Sequence, residues 1–251
     1  MSEFYFGFKL EGTHVIYEFI KSFDRIEDKI SSSDNSFPER DSIPPRTELT
    51  FSNGFYVNCT ALYIDIRNSS DLPNHHTRPK LAKLYRAYIS EVIAVIVGNS
   101  NCAEVIVEGD CVAGIFNTPN KPDIDSVFST AARLASLIDV MNCKFDKYEI
   151  KNITVGIGIH YGRALMIKAG FRGSGINDVV WMGDVLNEAS RLCSFGNEES
   201  SDKEIMVSSV IYINLNEHNQ KLLEKNRSRD CYHGNVISTS MDEWYNENCK
   251  K

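Results

Sequence analysis

The order in which hydrophobic periodicity changes along this chain constrains its fold more than any other feature. From Phe55, FYVNCTALYIDI is a β-rich run that opens after Asn53-Gly54. LAKLYRAYISEVIAVIVG then sets Leu81, Leu84, Tyr85, Tyr88, Ile89, Val92, Ile93 and Ile96 on one helical face. CAEVIVEGDCVAGIF predicts two strands turning at Glu108-Gly109-Asp110, and a second helix is expected over 126–141. NITVGIGIHYGRALMIKAG predicts two more strands with a break near Tyr161-Gly162. DVLNEASRLCSF predicts a helix that Asp184 can cap, and EIMVSSVIYINL opens a further strand. The order β-α-β-β-α-β is the ferredoxin-like layout. With helices on one face of a mostly antiparallel sheet, the expected class is α+β.

Ahead of this unit, Val15, Ile16, Phe19, Ile20, Phe23, Ile26 and Ile30 follow a helical rhythm over 12–30, and SSSDNSFPERDSIPPR is a proline-punctuated connector. Residues 1–50 therefore read as a helix plus linker packing on the rest or on a partner subunit, and 51–251 as the functional domain. The net charge of 27 − 34 = −7 leaves no broad basic face for a nucleic-acid backbone. No apolar run reaches the roughly 18 residues of a membrane span, and the N-terminus lacks a signal-peptide pattern. A cytoplasmic location is expected. The seven cysteines (59, 102, 111, 143, 193, 231 and 249) contain no CxxC pair, which argues against a disulfide framework or a zinc site; Cys249 is the one expected to be exposed.

Asp65 interrupts the apolar run ALYIDI, and a carboxylate there is costly to bury without a partner. Asp110 sits at the hairpin tip. In this layout the first strand and the central hairpin are neighbours, so the two carboxylates can meet, and such a pair suits Mg²⁺ or Mn²⁺. Taken singly, Asp65 reads as a salt-bridged strand residue and Asp110 as a turn former. Arg67-Asn68-Ser69-Ser70 follows as a strand-to-helix junction whose backbone N–H groups can hold phosphate oxygens. Asn187 and Arg191 stand four apart on one helical face, where an amide and a guanidinium can orient a ribose and neutralise a phosphate. His160, in an apolar strand, reads as a satisfied core residue, and His75-His76 as solvated.

ALYIDIRNSSDL, VIVEGDCVAGIF, VGIGIHYG and WMGDVLNEASRL, in this order, resemble the signature blocks of class III nucleotidyl cyclases over about 55–215. The resemblance implies that Asp65, Asp110 and the Ile66 backbone hold two Mn²⁺ or Mg²⁺ ions. It implies that Asn187 positions the ribose and Arg191 stabilises the transition state as a 3′-hydroxyl attacks its own α-phosphate. It also implies a homodimer with composite sites, metals on one chain and Asn/Arg on the other.

Departures from the family pattern bear on the base. Adenylyl cyclases carry a lysine where Ile106 stands and an aspartate or threonine where Val180 stands; guanylyl cyclases carry glutamate and a small polar residue. Neither purine code is present, so selection has to come from other groups. Tyr63, two residues before Asp65, shares its strand face and is a candidate base contact; Trp181 and Met182 adjoin Val180. The family's late-hairpin lysine has no counterpart in DCYHGNVISTSMDEWY, and Lys168, Arg172 and Arg67 are substitutes that the sequence does not place.

FSNGFYVNCTALYIDIR, KAGFRGSGINDVVWMGD and YHGNVISTSMDEW resemble the pyrimidine cyclases of bacterial Pycsar anti-phage defence. That resemblance implies conversion of CTP or UTP to cyclic CMP or cyclic UMP plus pyrophosphate, sensed by a separate effector. The alternatives are a purine cyclase with a rebuilt base pocket, or an inactive cyclase-like domain that senses a nucleotide. Retention of all four of Asp65, Asp110, Asn187 and Arg191 opposes the last.

Overall fold

The computed structural model describes residues 12–31, 33–171 and 177–250. In chain order its elements are α1 (Phe19–Ile30), β1 (Glu39–Arg40), β2 (Gly54–Ile66), α2 (Leu72–His75), α3 (Arg78–Val97), β3 (Cys102–Glu108), β4 (Cys111–Phe116), α4 (Lys121–Asp146) and β5 (Val155–Gly170). They continue with β6 (Asn177–Met182), α5 (Asp184–Phe195), β7 (Ile205–Val207), α6 (Ser209–Asn214), α7 (Glu217–Gln220), β8 (Glu224–Asn226), β9 (Cys231–Gly234) and α8 (Thr239–Asn248). Short 3₁₀ turns cover Asp34–Ser36, Arg46–Glu48 and Ser69–Asp71.

One sheet runs β3-β4-β2-β5-β7-β9-β8, with β1 on β2 and β6 on β5. Its first four strands have the ferredoxin-like order and pair antiparallel with one another. The α+β expectation holds. β2 alternates between two cores. Leu62, Ile64 and Ile66 join Leu84, Tyr88, Val92, Phe128 and Leu134 under α3 and α4. Val57, Cys59 and Ala61 join Met166, Trp181, Val185 and Ala189 under α5.

Helices therefore cover both faces, not the single face the pattern suggested. Gly156 and Gly158 are the reason. A Cβ at Gly158 would stand 2.1 Å from the Cys193 nitrogen, and one at Gly156 2.2 Å from the Cys193 oxygen. Only glycine lets the α5 backbone lie directly on β5.

Other expectations shift at element ends. The helix of 12–30 begins at Phe19, with no side-chain cap. α4 starts earlier than expected because Asn120 and Asp123 form a capping box and Pro122 suits the first turn. β5 is one strand, since its ladder with β2 passes unbroken through Tyr161 opposite Thr60 and Gly162 opposite Cys59. After Val207 the chain turns helical because the Ser208 hydroxyl accepts from the Ile211 N–H. Asp184 is the first residue of α5; the cap position is Gly183.

Cys143 and Cys249 form a disulfide joining α4 to the end of α8 across 106 residues, a pairing that sequence spacing did not show. The linker is part of the fold. Glu39 and Arg40 pair parallel to Tyr56 and Val57, and the Ile43 N–H donates to Asn117 Oδ1. Among the described residues no helix is long and apolar enough to cross a membrane.

Candidate active site

Strand register builds the carboxylate pair. Ile64 faces Val112 across β2 and β4, so Asp65 is carried to the start of β4 beside the Gly109-Asp110 turn. Gly109 supplies the left-handed φ of 65° that this tight turn needs. Asp65 is half-buried, and burial raises its carboxyl above the usual range, with the Asp110 charge adding to the rise and Arg67 opposing it. The Asp110 Oδ2 is buried without a hydrogen-bond partner. Arg67 places Nη2 3.0 Å from Asp65 Oδ2, and its Nη1 donates to the Ser194 carbonyl on α5 at 2.9 Å.

One carboxylate thus has a cationic neighbour and the other is left orphaned. Buried like charges with an unsatisfied oxygen fit hard divalent cations, which oxygen donors hold. Asp65 and Asp110 would supply side-chain oxygens. The Ile66 side chain is buried in the first core, so only its carbonyl could contribute. Among the described residues no cluster of three or more His, Cys, Asp or Glu forms a further candidate.

The junction after β2 is tighter than a row of free N–H groups. Asn68 is left-handed at φ 52°, the Arg67 N–H donates to the Thr154 carbonyl, and the Asp71 N–H donates to the Asn68 carbonyl. Ser69 and Ser70 lie in the single 3₁₀ turn between them.

Tyr63 lies on the Asp65 face as expected. It faces Ala113, which faces Ile106 on the other side, so a small alanine separates an aromatic from an isoleucine. Burial, reinforced by the neighbouring Cys111, Cys193 and Glu108, pushes the Tyr63 phenol up to about 12. It stays protonated and can donate a hydrogen bond. Arg46 of the linker pairs with Glu104 on β3 and, at 3.6 Å, with Asp178 on β6. Ile106 and Val180 each stand two residues beyond a carboxylate held by that one guanidinium, which ties their strands together.

Val180 is 37% exposed and Trp181 only 7%, so the two face opposite ways. Trp181 belongs to the second core, against which Tyr63 and Ile106 also pack, and its Nε1 is buried without a hydrogen-bond partner. Met182 is exposed. Lys168 is stacked over the Phe51 ring at 5.1 Å, and Arg172 lies outside the described residues.

Asn187 and Arg191 share the outward face of α5, both exposed. The charges that act on Asp65 are those of Asp110 and Arg67. Arg191 is instead paired with Glu188, its Nε donating to Oε2 at 2.8 Å and its Nη2 to Oε1. Its guanidinium stands 5.2 Å over the Phe195 ring, and Arg229 stands 4.4 Å over the same ring.

Arg229, in the turn between β8 and β9, is a cation the sequence reading missed. Its only sequence signal is a basic pair, Arg227 and Arg229, between two short strands. His160 is not a satisfied core residue: it is half-buried and its Nδ1 has no partner. Burial lowers its pKa, while Glu188 opposes that shift.

Comparisons with known proteins give the family and the fold. The Adenylate and Guanylate cyclase catalytic domain matches residues 52–235. A protein of Gulbenkiania mobilis named "Uridylate cyclase" is 37% identical, covering 95% of this chain and 100% of that protein. One of Treponema porcinum with the same name is 34% identical, covering 87% and 77%. Among solved structures, a class III adenylyl cyclase-like ATP-binding protein from Pseudomonas aeruginosa superposes with a TM-score of 0.67 at 17% identity, covering 89% of this chain and 48% of that one. The adenylyl cyclase CyaB from P. aeruginosa gives 0.58 at 20% identity, covering 68% and 85%. With the family's domain spanning most of its length, this chain belongs to the class III adenylate and guanylate cyclase family.

Proposed function

We propose that this chain is a pyrimidine nucleotide cyclase that converts UTP to 3′,5′-cyclic UMP and pyrophosphate. The observation that carries the reading is a complete reacting set, Asp65, Asp110, Asn187 and Arg191, beside purine-reading positions filled by Ile106 and Val180. Neither side chain can hydrogen-bond a base, so a purine gains no recognition there. The two relatives named "Uridylate cyclase" favour uracil over cytosine.

In the proposed reaction the substrate's 3′-oxygen bonds to its α-phosphorus, pyrophosphate leaves with the broken P–O bond, and the hydroxyl proton passes to solvent. Asp65, Asp110 and the Ile66 carbonyl would hold two Mg²⁺ or Mn²⁺ ions, which when bound neutralise triphosphate charge and favour ionisation of the hydroxyl. Asn187 would fix the ribose, and Arg191 would offset charge growing on the α-phosphate. Tyr63 would meet the base.

Arg191 is engaged by Glu188, and, as the family resemblance implies, the site would be completed by a second copy, with α5 of one protomer facing β2 and β4 of the other. A product of this kind acts only through a protein that senses it, and the resemblance to anti-phage cyclases supports a separate effector in that role.

The test is incubation of the purified chain with each of the four ribonucleoside triphosphates and Mn²⁺, with products resolved by mass. Cyclic UMP as the main product is expected. Cyclic AMP or cyclic GMP alone would overturn the pyrimidine reading, and no cyclic product would overturn the enzyme reading.

A further inference from the structure

The neighbourhood of Arg191 contains more than a family match requires. A guanidinium has five N–H donors in one plane. Glu188 takes the Nε–H and one Nη2 N–H with its two carboxylate oxygens. Among the described residues no hydrogen bond takes the opposite edge, Nη1 with the remaining Nη2 hydrogen, and the side chain is about half exposed. Phe195 supports the plane from one side at 5.2 Å.

Phe195 is itself fixed. Arg229 stacks on it, and Arg229 Nη2 is held by Glu198 at 3.0 Å, Glu199 at 3.1 Å and the buried Asp202 at 3.0 Å. A chain of contacts therefore runs from Asp202 through Arg229 and Phe195 to Arg191, and Glu188 closes it at the edge. Long arginine side chains lose rotamer freedom when fixed. Fixing Arg191 before substrate arrives moves that cost out of the reaction step.

We propose that Glu188 is a positioning residue that orients the Arg191 guanidinium so that its free edge meets the α-phosphate. This rests on the reading of Arg191 given above. Glu188 touches no substrate in this role. Its carboxylate acts only by holding another side chain, so it governs turnover more than nucleotide affinity.

The experiment compares Glu188→Gln, Arg191→Ala and the double variant in the full-length chain. The rates, KM for UTP and melting temperature are measured, with product followed by mass. Gln keeps the length but loses one acceptor and the charge. Glu188→Gln should lower kcat about tenfold, with KM within about twofold and an unchanged melting temperature. In the Arg191→Ala background, Glu188→Gln should cost nothing further.

An unchanged kcat in Glu188→Gln overturns the proposal, as does an equal loss with and without Arg191. A kcat above wild type also overturns it, because Glu188 would then withhold the arginine. If Glu188→Gln does not fold, Glu188→Asp keeps the charge on a shorter arm and should give an intermediate kcat; wild-type kcat would overturn the proposal. Full turnover in Arg191→Ala alone would instead overturn the reading of Arg191 itself.

Discussion

Arg67 places its Nη2 3.0 Å from the Oδ2 of Asp65, two residues earlier on the same strand end, while its Nη1 reaches the Ser194 carbonyl. The guanidinium thus bridges the candidate metal site to α5 and supplies one positive charge where two carboxylates converge. Asp110 Oδ2 receives no such partner. A divalent cation would satisfy that oxygen, and Mn²⁺ should therefore raise the melting temperature of the wild-type chain. Asp110→Asn should abolish both that rise and turnover while keeping the fold, because the amide preserves shape and removes a charged ligand. A Mn²⁺-dependent rise of equal size in Asp110→Asn would place the ion elsewhere.

The composite site is tested by mixing two variants that each keep only a small residual activity. Asp65→Asn damages the carboxylate half and Arg191→Ala the α5 half, and a mixed dimer holds one doubly damaged site and one intact site. Equal amounts with free exchange should recover about a quarter of wild-type activity. No recovery, with exchange shown by differently tagged subunits, would put the whole site within one chain.

Tyr63 is the proposed base contact, and it faces Ile106 across Ala113. Tyr63→Ala should lower both rate and preference for UTP over purine triphosphates by roughly ten- to a hundredfold, about 1–3 kcal/mol. Tyr63→Phe keeps the ring and deletes the hydroxyl, so wild-type behaviour there would assign the role to stacking. Unchanged preference in Tyr63→Ala would make it a core residue.

The legible parts of this fold were those that local rules decide. Asp65 and Asp110 could be brought together on paper because a Gly-Asp turn fixes a hairpin and the β-α-β-β-α-β order fixes its neighbour. The placement of α5 could not, since Gly156 and Gly158 are ordinary strand glycines until a helix backbone lies against them. The Arg191–Phe195–Arg229 stack joins α5 to a turn more than thirty residues away, and the Cys143–Cys249 bridge spans 106. No periodicity encodes contacts of that kind. The side of β6 on which Trp181 lies could not be taken from Val180, because adjacent strand residues face opposite ways.

Glu204 gives the fold a pH dependence of its own. It precedes β7, and burial, followed by the charge of Asp139 on α4, raises its carboxyl from an ordinary 4.5 to about 7. Asp139 in turn faces Asp242 on α8 and is eased by Lys250. Between those two values the folded chain holds more protons than the unfolded one, so this group's contribution falls as pH rises and is fully lost above about 7. The loss amounts to about 3 kcal/mol at most. His160 and His233 act in the opposite direction, since burial lowers both, so their contributions are lost as pH falls. The Glu204 contribution is isolated by difference. Denaturant unfolding of wild type and Glu204→Gln at several pH values should give similar stabilities near pH 4.5, with the variant increasingly the more stable toward pH 8. A stability difference that stays flat across that range would show that Glu204 titrates normally and that its burial carries no charge penalty.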